Sequence, residues 1–326
     1  MYIPVYFYWF WLSLNAKSFF FFSTSNPSIE YAGFIMEKKK DIYDIMPKSF
    51  YPKTALIDCK SSEKHLHEIF QQNNFQYPMI AKPNIGERGN GVKKVETKDE
   101  LVSYLKDSKV DFLLQEWIDY KYEAGIFYYR YPNEKKGKIS GIVSKEFLQV
   151  VGDGISTTEE LLMKNTRFIL QLKTLQTTYG KDLQKILSEG ETLVLVPYGN
   201  HCRGSKFIDA SDVIDEKLET ALDNICKQIP AFYFGRMDIK FNSWEDLANE
   251  KNFSIIELNG AGSEPTHIYD PKHSILFAWK EIMRHLSILY KISVANKAKY
   301  NLQFMTLQQG LDMFKLKKQY NKIIEN

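Results

Sequence analysis

Residues 235–240 read Gly-Arg-Met-Asp-Ile-Lys, and residues 255–260 read Ile-Ile-Glu-Leu-Asn-Gly. Both stretches are apolar runs broken by polar side chains, a composition that favours strands. Residues two apart on a strand point the same way, so Glu257 and Asn259 share a face. With Asp238 on the other strand they supply the hard oxygen ligands that Mg²⁺ prefers. Carboxylates on apolar strands need a partner, so a metal site is predicted; the alternative is two core strands with incidental acids.

A second pattern lies upstream, where residues 78–83 read Pro-Met-Ile-Ala-Lys-Pro and precede a glycine-rich loop at residues 86–91. Lys82, at a strand end, can reach nucleotide phosphates as a point charge. Backbone N–H groups of a glycine-rich loop can cradle phosphate oxygens, which predicts a mobile lid; a plain hairpin carrying glycines is the alternative. The loop lacks the features of a Walker loop or a dinucleotide fingerprint. The glycines concerned are Gly86, Gly89 and Gly91.

A third pattern suits recognition of a nucleoside, because a strand there leads into a linker with an acid a few residues on. Backbone groups of such a linker can bind the base, and the carboxylate of Glu123 can accept hydrogen bonds from ribose hydroxyls. An ordinary strand followed by a solvated acid is the alternative. The linker residues are Gln115, Glu116, Trp117 and Ile118.

In order and spacing, these motifs resemble the ATP-grasp superfamily. D-Alanine–D-alanine ligases have similar Lys-Pro, Glu-Lys-Trp-Leu, Gly-Arg-Ile-Asp and Glu-Ala-Asn motifs, followed by a histidine where His267 stands. Residues 151–165 look instead like cyanophycin synthetases and fused glutathione synthetases. The resemblance covers roughly residues 36–290. It implies an α+β ATP-grasp fold, in which two α+β lobes grip ATP, with a truncated N-terminal domain.

The resemblance also implies a role for each matching residue. Two lysines resemble those on the ATP phosphates, Lys82 and Lys40, and Glu123 resembles the ribose-binding acid. Lys145 resembles the lysine that reaches the phosphates from the central domain, and Arg236 the arginine that stabilises an acyl phosphate. The metal ligands are expected to hold two Mg²⁺ ions, for which Mn²⁺ can substitute: Asp238, Glu257 and Asn259.

The activity implied by the resemblance is an ADP-forming ligation of a carboxylate to an amine through an acyl phosphate. D-Alanine ligases carry a full α/β domain before the first lysine, whereas fewer than forty residues precede Lys40 here. The acid and the amine therefore do not follow from the resemblance. His201 and Arg203 either bind an acidic substrate group or belong to a surface loop. The alternatives are a small-molecule kinase on the same fold and a membrane-surface protein that only binds ATP.

The composition limits the possible partners and the cellular compartment. The formal net charge is +3, and no basic stretch is dense enough to indicate nucleic-acid binding. The three cysteines are odd in number, widely separated and without metal-ligand spacing, which indicates reduced thiols and a cytoplasmic protein. They are Cys59, Cys202 and Cys226.

The expected organisation is an N-terminal segment and linker lobe (1–75), a central subdomain (76–145), a C-terminal subdomain with the metal site (146–295) and a terminal helix (296–326). The first 22 residues are strongly aromatic and are expected to form a short helix and then a strand, Ser18–Ser23. Lys17 and Asn15 interrupt the apolar run, which argues against a bilayer span. So short a segment must bury its aromatics against the body, a second subunit in a homodimer, or a membrane surface.

Overall fold

The computed structural model describes residues 2–86, 89–196, 199 and 204–325. The strands are β1 Thr54–Ile57, β2 Met79–Pro83, β3 Lys93–Val95, β4 Phe112–Glu116, β5 Tyr122–Tyr129, β6 Lys138–Glu146, β7 Leu148–Val151, β8 Thr192–Val196, β9 Lys206–Asp209, β10 Phe234–Phe241 and β11 Phe253–Asn259. The α-helices are α1 Ile3–Ala16, α2 Lys39–Ile45, α3 Glu63–Gln72, α4 Lys98–Asp107, α5 Thr158–Met163, α6 Thr166–Ile169, α7 Leu172–Tyr179, α8 Glu216–Lys227, α9 Trp244–Ala248, α10 Ile275–Lys299 and α11 Leu307–Glu325.

The first sheet is antiparallel and has the strand order β1-β4-β2-β3. Its core side buries the apolar stripes of α3 and α4, including Leu66, Leu101 and Leu105. Ser62 and Thr97 cap these two helices by accepting hydrogen bonds from backbone N–H groups of the first turn. This sheet positions Lys82 at its rim.

The second sheet has the order β11-β10-β5-β6-β9, and β5 and β6 form the expected antiparallel hairpin. One face packs on α8 through Leu218, Leu222 and Ile225, the helix face expected from the apolar spacing. Alternate residues of β5, β6, β10 and β11 point to the other face, where the charged residues of the site lie. The short edge strand β9 was not expected from the sequence, and nor was β7, which pairs with β8 in a separate ribbon.

Strand pairing crosses two of the expected domain boundaries, which themselves stay predictions. Strand β1 hydrogen-bonds to β4, so the first sheet begins before residue 75. Strand β6 continues to Glu146 between β5 and β9, so the boundary at residue 145 falls inside a strand. The reason is that antiparallel pairing joins segments that are distant in sequence, and composition does not record which segments pair.

The N-terminus departs from the expectation in one element. Helix α1 is present, but the expected strand Ser18–Ser23 is wrong, because Phe21–Thr24 form a 3₁₀ turn. Consecutive rings of Phe20, Phe21 and Phe22 are all at most 2% exposed. A strand would send alternate rings to opposite faces, whereas the turn packs all three into the core shared with α10. No helix among the described residues is long and apolar enough to cross a membrane.

The segment after this turn covers the end of β11. Ala32 and Gly33 accept backbone hydrogen bonds from Ala261 and Gly262, each 2.9 Å long. Gly33 has φ +70°, and a Cβ there would lie 2.8 Å from the Cα of Gly260, so only glycine fits this close approach. The N-terminal segment is thereby placed beside the last residues of the predicted metal-binding strand.

Candidate active site

The register of β10 and β11 sets the centre of the site. Asp238 lies opposite Glu257, and Arg236 lies opposite Asn259. Between these pairs and the rest of the ladder, Ile256 is an extra residue in a β-bulge. A bulged residue leaves the regular ladder, and the Ile256 carbonyl instead faces the site.

Asp238 is at the middle of a buried ionic network. It accepts a hydrogen bond from Arg236 Nε at 3.0 Å, and Lys145 Nζ lies 3.2 Å from its other oxygen. Lys145 also donates to Glu123 at 2.9 Å. Burial alone would raise the pKa of Asp238, but Arg236 and Lys145 hold it below its ordinary value. The carboxylate therefore stays charged and available to a cation.

The pKa values of the two basic partners are shifted in the complementary direction. Burial would lower the pKa of Lys145, but Asp238 and Glu123 raise it. Burial likewise opposes the charge on Arg236, and Asp238 again raises the pKa. Both side chains remain cationic on the site face, as transfer of a phosphoryl group requires.

Lys82 crosses from the first sheet to the second. Its Nζ donates to Gln115 Oε1 at 2.8 Å, to the Ile256 carbonyl at 2.9 Å and to Tyr43 Oη at 3.0 Å. All three partners are neutral, and burial lowers the pKa of Lys82 to about 8. A cation held among neutral dipoles is well suited to receive an anionic phosphate.

Helix α2 carries Lys40, the other predicted phosphate lysine, directly after Lys39. Lys40 is paired with Asp44 on the outer side of α2. Lys39 points inward instead: its Nζ lies 3.3 Å from Glu257 Oε1 and donates to the Gly86 carbonyl at 2.6 Å. Successive helix residues differ by about 100° in direction, so only one of the two can face the site. Lys39 is therefore the better placed of the two lysines, and the role of Lys40 stays a prediction.

The predicted nucleoside-binding residues have different surroundings. Gln115 points to Lys82 and donates to Thr54 Oγ1 at 2.8 Å, while Glu116 is exposed. Trp117 and Ile118 are half-buried and both contact Lys240. This lysine was missed in the sequence: its Nζ lies 4.2 Å from the centre of the Trp117 ring and donates to the Ile118 carbonyl at 3.1 Å. Its position two residues after Asp238, on the same face, was the available signal.

The glycine-rich loop begins directly beside the site. The Gly86 carbonyl accepts the Lys39 hydrogen bond, and Gly89 and Gly91 have positive φ. Residues 87 and 88 lie outside the described residues, as do His201, Cys202 and Arg203. Gly199, which is described, donates its N–H to Glu123 Oε2 at 3.1 Å.

His267 is 4% exposed and packs over Gly141, beside α10. Its Nε2 lies 3.4 Å from Glu281. Burial would raise the pKa of Glu281, but hydrogen bonds from His267 and Arg284 lower it to about 2. This arrangement gives His267 a structural partner within the protein.

The side-chain oxygen atoms of Asp238, Glu257 and Asn259 are of the chemical type that binds Mg²⁺. Asp238 and Glu257 are opposed on neighbouring strands and present carboxylate oxygens to the same face. The side-chain nitrogen of Asn259 is buried and has no hydrogen-bond partner among the described residues. A buried amide without a partner is costly, and phosphate or metal-bound water beside it would remove that cost. Asp238, Glu257 and Asn259 are therefore able to hold Mg²⁺ or Mn²⁺.

Part of the chain is similar to a recognised family. Residues 47–128 match the family described as the RimK-like ATP-grasp domain. Over 138 residues the chain is 28% identical to the glutathione biosynthesis bifunctional protein GshAB of Clostridium perfringens. That match covers 37% of this chain and 18% of the relative's length. The resemblance to the ATP-grasp superfamily and the α+β fold that it implies are confirmed.

Three solved structures are also similar. The bifunctional glutathione synthetase from Pasteurella multocida has a TM-score of 0.39 and 16% identity, over 77% of this chain and 35% of that one. The VanG D-Ala:D-Ser ligase from Enterococcus faecalis has a TM-score of 0.47 and 16% identity, over 80% of this chain and 64% of that one. The D-alanine–D-alanine ligase from Bacillus anthracis has a TM-score of 0.46 and 13% identity, over 83% of this chain and 72% of that one.

Proposed function

We propose that this ATP-grasp protein is an ADP-forming ligase that joins a small-molecule carboxylate to an amine. The observation that carries the proposal is the buried network on one sheet face. Four basic side chains, Lys39, Lys82, Lys145 and Arg236, surround three carboxylates, Glu123, Asp238 and Glu257. Cations around a polyphosphate and carboxylates for its metal are the two requirements of phosphoryl transfer.

The basic residues act on the phosphates by charge and position. Lys82 donates to the Ile256 carbonyl and Lys39 contacts the Glu257 carboxylate. We expect a phosphate oxygen to replace each of these partners when ATP binds. Lys145 and Arg236 flank Asp238 and stabilise the charge that develops on the transferred phosphoryl group. Asp238, Glu257 and Asn259 would hold Mg²⁺, which when bound neutralises phosphate charge.

The reaction needs no nucleophile from the protein. A substrate carboxylate oxygen attacks the γ-phosphorus of ATP, the bond to the β-phosphate oxygen breaks, and ADP leaves. The substrate amine then attacks the acyl phosphate carbon, loses a proton and expels inorganic phosphate. Ribose recognition by Glu123 and base recognition around Trp117 and Ile118 complete the proposed ATP site.

Phosphate release measures this function directly. Full-length protein with MgATP is screened against carboxylates and amino acids singly and in pairs, with phosphate and ADP both quantified. The ligase predicts equal ADP and phosphate, formed only when an acid and an amine are both present. ADP formed with a single substrate and no phosphate would indicate a kinase, and nucleotide binding without ADP across the screen would contradict both enzymes.

A further inference from the structure

The outer side of helix α1 is apolar and exposed. Its six outward residues follow the helical spacing i, i+3, i+4, i+7, i+8 and i+11, and each is between 56% and 78% exposed. Residues 2–16 contain no charged side chain. A helix that is apolar on every side is ordinarily buried on every side, and so large an exposed patch marks an interaction surface. The outward residues are Ile3, Tyr6, Phe7, Phe10, Trp11 and Leu14.

The inner side of α1 packs against the rest of the protein. Val5 and Leu12 are buried, and Tyr8 Oη lies 2.5 Å from Ser287 Oγ on α10. Trp9 packs between Phe21 and Phe22, with ring centres 4.7 and 5.9 Å away. The helix therefore lies flat against the body, and only its outer side is available to a partner.

The exposed apolar surface continues onto α11. Ring contacts link Phe10 to Phe19, Phe19 to Phe20, and Phe20 to Phe314, with centres 5.8, 5.3 and 6.2 Å apart. Leu307 and Leu311 on α11 are 66% and 52% exposed. The apolar strip is defined here as the outward residues of α1 together with Phe19, Leu307, Leu311 and Phe314.

The same face of α11 becomes basic directly after the apolar strip. Lys315, Lys318 and Lys322 follow at helical spacing, are exposed, and form no ion pair with any described side chain. Helix α11 contains four lysines against two acidic residues, although the whole chain carries only +3. Positive charge is thus concentrated next to the apolar strip.

We infer that the apolar strip and these lysines form a docking surface for an anionic lipid membrane. Tyrosine, tryptophan and phenylalanine side chains at the rim of a flat helix suit the boundary between headgroups and acyl chains. Lysines beside them attract anionic headgroups. A second copy of the chain is the less suitable occupant, because a two-fold contact places the same patch on both sides and brings the two lysine groups together.

Vesicle flotation tests the inference with full-length protein and two vesicle compositions, phosphatidylcholine alone and phosphatidylcholine mixed with phosphatidylglycerol. One variant removes apolar contacts (F7S/F10S/L14S) and one reverses charge (K315E/K318E/K322E). The matched controls change equally exposed residues elsewhere (V151S/I155S/L170S and K64E/K109E/K173E). Thermal melts establish that each variant is folded, and light scattering gives its oligomeric state.

The surface predicts binding to the anionic vesicles and much weaker binding to phosphatidylcholine alone. Each lysine near an anionic leaflet strengthens binding by about fivefold, so the loss of three lysines in the charge variant should weaken binding by more than about 100-fold. The apolar variant should lose binding, and both controls should bind like the wild type. Wild-type protein that floats with neither vesicle type overturns the inference. A dimer that the apolar variant dissociates would assign the surface to a second copy, and binding unaffected by either variant would place the lipid contact elsewhere.

Discussion

Lys39 Nζ lies 3.3 Å from Glu257 Oε1, and through this contact helix α2 meets the strand that carries two of the predicted metal ligands. The same amino group holds the Gly86 carbonyl at the start of the glycine-rich loop. Lys39 thus joins three parts of the proposed ATP site, whereas its neighbour Lys40 pairs with Asp44 outside it.

Replacement of Lys39 by methionine should therefore weaken ATP binding while the same change at Lys40 has little effect. A charge-assisted hydrogen bond is worth about 1.5–3 kcal/mol, which corresponds to a roughly 10- to 100-fold rise in the Kd of Lys39→Met. Titration calorimetry with a nonhydrolysable ATP analogue measures this without knowledge of the other substrates. Lys40→Met serves as the matched control and should stay within about threefold of wild type. The reverse pattern would restore the assignment made from the sequence.

The choice between Lys39 and Lys40 shows one limit of sequence reasoning. Three lysines in succession, Lys38, Lys39 and Lys40, open α2, and the motif does not fix which one turns inward. That choice depends on the rotation of the helix, which the packing of Ile42 and Tyr43 in the core determines. The opposed positions of Asp238 and Glu257, by contrast, agree with the two-residue periodicity of strands and the motif spacing.

The predicted metal ligands give a second test. Asp238→Asn and Glu257→Gln should each reduce turnover by more than about 100-fold, because a metal ion contributes several kcal/mol to stabilising phosphoryl charge. Phosphate release under saturating MgATP is the measurement, with Glu216→Gln, an exposed acid on α8, as the control. Asp238→Asn also removes the charged partner of Arg236 and one of the two carboxylates that pair with Lys145, and loss of one member of a buried pair costs about 3–5 kcal/mol. The Glu257 carboxylate is more exposed than that of Asp238, so Glu257→Gln should destabilise the fold less. A loss of turnover in Glu257→Gln therefore reports on catalysis rather than on folding. Near-normal turnover in that variant would exclude the site.

The lowered pKa of Lys82 predicts a pH dependence in nucleotide binding. Burial brings this pKa to about 8, so the amino group loses its charge as the pH rises past that value. Affinity for a nonhydrolysable ATP analogue should fall between about pH 8 and 9.5. Arginine stays protonated throughout this range, so Lys82→Arg should show a flatter profile whatever its absolute affinity. Identical profiles for both proteins would assign the titration to another group.

The lowered pKa of Lys82 also makes stability depend on pH, but in the opposite direction to nucleotide affinity. An unfolded lysine keeps its proton to about pH 10.4, while folded Lys82 releases it near 8. The unfolded state thus binds more protons between these values, and the free energy of unfolding should rise with pH there. The comparison is with Lys82→Met, which lacks this contribution. Denaturant melts of the two proteins should diverge above pH 8, the wild type gaining relative to the variant.

The N-terminal segment shows a second limit of sequence reasoning. Aromatic residues favour strands in general, and that preference predicted Ser18–Ser23. Tertiary packing overrides it, because three consecutive rings find buried positions between α1 and α10. The edge strands β7 and β9 are only four residues long, too short for alternation to distinguish them from loops.

Asn26 links the N-terminal segment to strand β10, and replacing it should lower the free energy of unfolding. The side chain is fully buried, donates to the carbonyls of Ala32 and Phe234 at 3.1 and 2.8 Å, and accepts from the N–H groups of Tyr233 and Phe234 at 2.9 and 3.0 Å. Asn26→Ala removes these four hydrogen bonds, and although the Ala32 carbonyl keeps the one from the Ala261 N–H, each buried group left without a partner costs about 1–3 kcal/mol. Water entering the cavity would recover part of this loss, so we expect a drop of about 3 kcal/mol or more in the free energy of unfolding. Asn224→Ala, which removes an exposed hydrogen bond to Glu250, should change it by less than about 0.5 kcal/mol. Denaturant melts of the two variants measure the difference, and equal small effects would mean that the aromatic packing and the other hydrogen bonds hold the N-terminal segment without Asn26.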